Sequence, residues 1–115
     1  MESNDAVAAL LALAQESRLG IFRLLVEAGP QGLPAGQIAE QMGLPAATLS
    51  FHLAHLKRAG LIACRRDGRS LIYSADFNEM SRLVGFLTEN CCGGNAAHCA
   101  PARGIPQALR KRSSR

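Results

Sequence analysis

Three cysteines stand close together late in the chain: Cys91 and Cys92 are adjacent, and Cys99 follows after six intervening residues. Thiolates are the ligands of soft ions. Gly93-Gly94 lets the backbone turn so that Cys99 can fold back onto the pair. Three converging thiolates without an obligatory fourth donor suit a trigonal ion that carries a lone pair, such as As(III) or Sb(III). Zn(II) or Cd(II) would take a fourth ligand, and His98 stands beside Cys99 for that purpose. Thiol redox sensing, with Cys91, Cys92 and Cys99 as the groups oxidised, is a third use of the same residues. The plain alternative is a set of idle thiols, but unpaired cysteine usually owes its place to apolar burial, which a Gly-rich segment hardly offers. An enzyme is disfavoured. No Cys-x-x-Cys precedes a helix, and only His98 between Gly93 and Ala102 can lower a thiol pKa.

The fourth cysteine, Cys64, stands apart. Four cysteines can form two disulfides in a secreted protein. Here the chain opens Met1-Glu2-Ser3-Asn4-Asp5, acidic where a leader would be basic, and the apolar run 6–14 is too short to span a membrane. The expectation is a cytoplasmic protein with reduced thiols and no membrane partner.

A second group of residues suits nucleic acid. Ala46, Ala47, Thr48, Ser50 and Phe51 sit at the start of a helical pattern, and small or polar residues there fit a major groove. His55, Lys57 and Arg58 lie toward its other end, near phosphates or the helix's own last carbonyls. Arg65, Arg66 and Arg69 surround a turn holding one Asp. That turn can be merely solvated; beside a helix-turn-helix it reads as a phosphate contact. His52 and His55, three apart, can in principle ligate a metal, but neither cysteine nor acid sits beside them.

The elements that must position these residues follow from periodicity. Val7, Leu10, Leu11 and Ala14 mark one face of a first helix. Ser17 is the expected cap of a second, with Leu19, Phe22, Leu24, Leu25 and Val26 as its apolar residues, ended by Gly29-Pro30-Gln31-Gly32. A short third helix covers 35–42 and stops at Gly43. A fourth runs from Pro45 to Ala59 with Leu49, Leu53 and Leu56 inward. Asp67-Gly68 between Leu61–Arg66 and Arg69–Ala75 predicts a type I′ hairpin, pairing Arg66 with Arg69, Cys64 with Leu71 and Ile62 with Tyr73. Arg66 and Arg69 would then repel one another across the strands until a phosphate intervened. Cys64 shares a face with Ile62, Leu71 and Tyr73 and reads as a small core residue. Asp76 caps a fifth helix whose stripe is Phe77, Met80, Val84 and Leu87, extended by Cys91 and stopped at Gly93-Gly94.

The predicted order is α-α-α-α-β-β-α, mainly α with a β-hairpin wing, a winged helix-turn-helix. Residues 1–92 form the domain, and 93–115 form a cysteine-containing loop and basic tail. At 115 residues the chain fits one domain, and 48% hydrophobic against 19% charged residues is a globular balance. With no Trp and one Tyr, single-strand binding on stacked aromatics is disfavoured. The formal charge of +4 is unevenly spread. Residues 1–44 hold two basic and five acidic groups, while 45–70 hold five basic groups and one Asp. Residues 71–102 hold one basic and three acidic groups, and 103–115 hold five basic groups and no acid. Deleting that tail should cost non-specific DNA affinity but neither operator choice nor inducer response.

From Leu10 to Ala75 the chain resembles the ArsR–SmtB family of winged-helix repressors. The residues that carry the resemblance are Glu16-Ser17-Arg18-Leu19-Gly20-Ile21-Phe22-Arg23-Leu24-Leu25, Gln37-Ile38-Ala39-Glu40, Thr48-Leu49-Ser50-Phe51-His52-Leu53, Leu56-Lys57-Arg58-Ala59-Gly60-Leu61-Ile62, Arg66-Asp67-Gly68-Arg69 and Ile72-Tyr73. The resemblance implies a homodimer built from the first and last helices, double-stranded operator DNA read by the fourth helix, and an inducer ion that releases it. Family members sensing arsenic often place cysteines in the first helix of the helix-turn-helix. Here 37–42 has none, so the chain resembles those whose thiol site lies at or beyond the last helix. Ala46 and Ala47 stand where the family often has Gln and Ser, which bears on base preference rather than docking. The expectation is an arsenic-responsive repressor, with Phe77–Leu87 against Val7, Leu10 and Leu11 across the dimer axis.

Overall fold

The chain is described by a computed structural model covering residues 1–94. Two short helices at its centre owe their ends to local chemistry. α3 spans Ala35–Met42 and stops where Gly43 takes φ 66°, ψ 34°, the left-handed cap that glycine adopts without a Cβ penalty. α4 spans Ala46–Arg58 behind Pro45, whose φ of −61° precedes the first helical turn. Pro45 is thus the cap residue, one place before the expected first turn. Ile38 of α3 and Leu49, Leu53 and Leu56 of α4 point inward and are buried.

α2, Glu16–Ala28, packs across both and buries Ile21, Phe22 and Leu25. Its cap is Gln15, not Ser17: the Gln15 side-chain oxygen accepts from the Arg18 N–H at 2.9 Å. α1, Ser3–Leu13, lies against α2 and α4. Its inward face is the one opposite Val7, Leu10 and Leu11. Ala6, Ala9 and Ala12 are buried, while Val7, Leu10 and Leu11 are exposed. Three small side chains on one face let α1 approach its neighbours closely, and the branched residues are left outside.

The sheet has three antiparallel strands in the order β1-β3-β2, with β1 Leu33–Pro34, β2 Ile62–Asp67 and β3 Ser70–Ala75. β1, absent from the expected order, pairs Leu33 with Tyr73 and Pro34 with Ile72. Gly32 permits that approach: it has φ +72°, and a Cβ there would collide with the Tyr73 carbonyl. The hairpin register also differs from expectation. Asp67 pairs with Ser70, Arg66 with Leu71, Cys64 with Tyr73 and Ile62 with Ala75. The loop is therefore Gly68-Arg69, and of these two only Gly68 (φ 63°) has a positive φ. Glycine at the first central position is the type II′ arrangement. Cys64 keeps its predicted face and is half-buried opposite Tyr73. Burial of the Tyr73 phenol, then its contact with Cys64, pushes its pKa above the ordinary value.

α5, Phe77–Leu87, starts as expected, with the Asp76 carboxylate accepting from the Glu79 N–H at 3.0 Å. It ends earlier. The Thr88 hydroxyl turns back to donate to the Val84 carbonyl at 2.9 Å, and Asn90 and Cys92 adopt φ 56° and 55°. Cys91–Gly94 form a separate turn with Cys92 and Gly93 in the left-handed region, so Cys91 does not extend the helix stripe. Within α5, Leu83 is buried, Phe77 and Met80 are partly buried, and Val84 and Leu87 are exposed. Among the described residues no helix is long and apolar enough to cross a membrane.

Candidate nucleic-acid interface

α4 presents two chemically distinct faces. Leu49, His52, Leu53 and Leu56 face the core. Ala46, Ala47, Thr48, Ser50, Phe51, Lys57 and Arg58 are exposed, and so is Ala54. The sequence-predicted contacts of this helix thus share its outer side, with the exception of His55. That imidazole is half-buried and lines a hollow between α1 and the end of α4 with Ala8, Leu11, Arg58 and Ala59. Burial, then the charges of Arg18, Arg58 and His52, lower its pKa from the ordinary value of 6.5.

His52, grouped with His55 on spacing alone, has a different setting. Its ring is 8% exposed, and Nδ1 lies 3.4 Å from Nη1 of Arg18. A guanidinium only donates, so in this contact Nδ1 is the accepting atom. The same Arg18 donates from Nε to the Ala12 carbonyl at 2.7 Å. The His52 ring meets Phe51 in a T-shaped contact, centroids 5.7 Å apart at 64°. Sequence reasoning missed Arg18: no local pattern reports a contact across 34 positions.

The wing divides its arginines. Arg65 is exposed but tied to the neighbouring loop, donating from Nη2 to the Gln31 carbonyl at 2.8 Å and lying 4.0 Å from the Asp67 carboxylate. Arg66 and Arg69 are exposed. Because Arg66 faces Leu71 rather than Arg69, the expected cross-strand repulsion does not arise. Arg69, Ser70 and Leu71 line a hollow with Pro34, Ala35 and Gly36 at the start of α3. Gln37 and Gln41 of α3, not singled out from the sequence, are exposed as well.

The thiols lie at the other end of the chain. Cys91 and Cys92 are exposed, with their sulfurs 3.8 Å apart. Two sulfurs bound to one tetrahedral ion at about 2.3 Å each would be roughly 3.8 Å apart, so the pair can close on a single soft ion with little movement. Cys99 and His98 lie outside the described residues, as does the basic tail. Among the described residues no three His, Cys, Asp or Glu side chains converge on a metal position.

Comparison with known proteins places this geometry in a wider set. Residues 13–65 match a helix-turn-helix domain family. The transcriptional activator HlyU of Vibrio cholerae is 32% identical over 97 residues, covering 83% of this chain and 87% of HlyU. Its structure superposes with a TM-score of 0.63 over 80% of this chain and 99% of that one. The transcriptional regulator KmtR of Mycobacterium tuberculosis is 32% identical over 96 residues, 76% of this chain and 68% of KmtR. The homodimeric winged helix-turn-helix DNA-binding domain of Mb0332 from Mycobacterium bovis, a possible ArsR-family transcriptional regulator, has a TM-score of 0.60. That match is 26% identical and covers 80% of this chain and 85% of the domain.

Proposed function

The chain belongs to the ArsR/SmtB family of winged helix-turn-helix transcriptional regulators, and we propose that within it this chain is a homodimeric repressor that releases operator DNA when As(III) or Sb(III) binds Cys91, Cys92 and Cys99. The proposal is carried by the Cys91–Cys92 sulfur pair, 3.8 Å apart and exposed just beyond α5. Cys99 supplies the third thiolate, which suits a trigonal soft ion.

The dimer forms through α1 and α5. These helices touch, and together they expose Val7, Leu10, Leu11, Val84 and Leu87, each between 41% and 62%. Adjacent apolar side chains of this kind mark an interface. Each protomer then offers one α4 to a major groove, the two half-sites lying about one helical turn apart. Ala46, Ala47, Thr48, Ser50 and Phe51 meet base edges. Lys57, Arg58, Arg66 and Arg69 meet phosphates, and Arg65 holds the wing against the 29–32 loop.

Gathering the three thiolates reorders the segment after α5 and shifts α5 against α1. The separation of the two α4 helices shifts with it. A coupling of about 3 kcal/mol weakens DNA binding roughly 150-fold, and DNA weakens inducer binding by the same factor.

Fluorescence anisotropy on a bound duplex, titrated separately with arsenite, antimonite, Zn(II) and Cd(II), tests the reading. Arsenite should release wild type but not Cys91→Ser, Cys92→Ser or Cys99→Ser. Release by Zn(II) or Cd(II) alone would make the site a divalent-ion sensor involving His98. Release by peroxide alone would make it a redox sensor. Release by arsenite in all three variants would place the site elsewhere.

A further inference from the structure

We infer that Phe51 reads the 5-methyl group of thymine in the operator's major groove. The inference rests on α4 as the helix that enters the groove. The outward residues along the first two-thirds of α4 are Ala46, Ala47, Thr48, Ser50, Phe51 and Ala54. None of these can make the bidentate hydrogen bonds by which Arg, Lys, Asn or Gln tell one purine from another. What the face does offer is apolar surface, and most of it belongs to one ring: Phe51 is 62% exposed.

A single exposed phenyl needs no partner by itself. Two features set this one apart. It shares its helix with the exposed Lys57 and Arg58, and the wing adds the exposed Arg66 and Arg69. A duplex drawn in by those charges would cover it. The ring is also held in place, edge to face with His52, which Arg18 fixes in turn. A pre-oriented side chain gives up less freedom on binding. Among the base edges of the major groove, the thymine methyl is the one apolar group available to it.

The test starts from a duplex selected out of a randomised pool by the wild-type chain, without arsenite. Each thymine is replaced in turn by uracil, which lacks only the methyl. At one thymine per half-site, uracil should weaken wild-type binding about fourfold, and about 15-fold when both half-sites are changed, the worth of about one buried methyl each. Phe51→Ala should bind the thymine and uracil duplexes equally. Ser50→Ala, its neighbour on the same face, should keep the full uracil penalty. Because Phe51 is so exposed, Phe51→Ala should fold normally, which far-ultraviolet circular dichroism checks.

Uracil without effect at every position would overturn the inference, as would a uracil penalty that survives in Phe51→Ala. Ala47→Glu separates the two layers of the argument. If it abolishes binding while uracil costs nothing, the methyl contact alone is wrong. If it leaves binding intact, α4 does not enter the groove and the docking beneath the inference fails too.

Discussion

Arg18 and His52 link α1 to α4. Arg18 Nη1 lies 3.4 Å from His52 Nδ1, and its Nε donates to the Ala12 carbonyl at 2.7 Å. One guanidinium therefore satisfies an end carbonyl of α1 and a ring nitrogen on the buried side of α4. The same histidine touches Phe51 with its ring. A displacement of α1 relative to α4 must break or drag these contacts, so the pair is a physical route from the face proposed for dimerisation to the face proposed for DNA.

Arg18→Ala should lower the free energy of unfolding by about 2 kcal/mol, since a part-buried carbonyl and an imidazole nitrogen both lose a charged donor. Arg18→Lys should recover only part of this, because one ammonium cannot reproduce the fork that reaches both acceptors. Urea unfolding measures both. An Arg18→Ala curve that superposes on wild type would show the link to be idle.

The wing arginines should separate in their response to salt. Arg66→Ala and Arg69→Ala should each weaken binding to all duplexes alike and reduce the slope of log affinity against log salt by about 1. Arg65→Ala should change that slope less, because its guanidinium is held by the Gln31 carbonyl. Its cost should appear in stability instead. A slope change for Arg65→Ala equal to that for Arg66→Ala would show that the Gln31 contact breaks on DNA.

His55 should make the fold acid-sensitive. Its pKa is lowered from 6.5 in the folded state by burial and by Arg18, Arg58 and His52. As pH falls through about 6.5 the unfolded chain takes up this proton first, so the unfolded state is favoured. The stabilising contribution is present above that pH and is lost below it. Urea midpoints for wild type should fall between about pH 7.5 and 5.5, and His55→Gln should fall less. Equal falls for the two proteins would assign the acid sensitivity to other groups.

The parts of this molecule that were legible in the sequence are those fixed by local chemistry. Gly43 and Pro45 set the boundaries of α3 and α4 because each favours one backbone state. Asp76 announced α5 for the same reason. The errors came where local signals were degenerate. Asp67-Gly68 and Gly68-Arg69 both make two-residue loops, and both keep Cys64 on the face of Tyr73, so periodicity alone could not choose the register. β1 is two residues long and has no pattern to read. The Arg18 link depends on tertiary approach, which no spacing rule contains.

The exposed apolar face of α1 yields the sharpest prediction about assembly. Leu11, 62% exposed, and Leu87, 58% exposed, belong to the apolar surface that α1 and α5 leave uncovered. In a twofold dimer each substitution acts twice. Burying one leucine contributes about 1.5–3 kcal/mol, so removing two copies weakens association by about 3 kcal/mol, or ~150-fold. Leu11→Glu adds the cost of burying an unpaired carboxylate. Sedimentation velocity should therefore show Leu11→Glu and Leu87→Glu as folded monomers at concentrations where wild type is a dimer. Their affinity for a two-half-site duplex should fall in parallel, because a single α4 and wing remain to hold it. Dimers that persist in both variants would move the interface off α1 and α5, and with it the route by which the thiols reach the DNA.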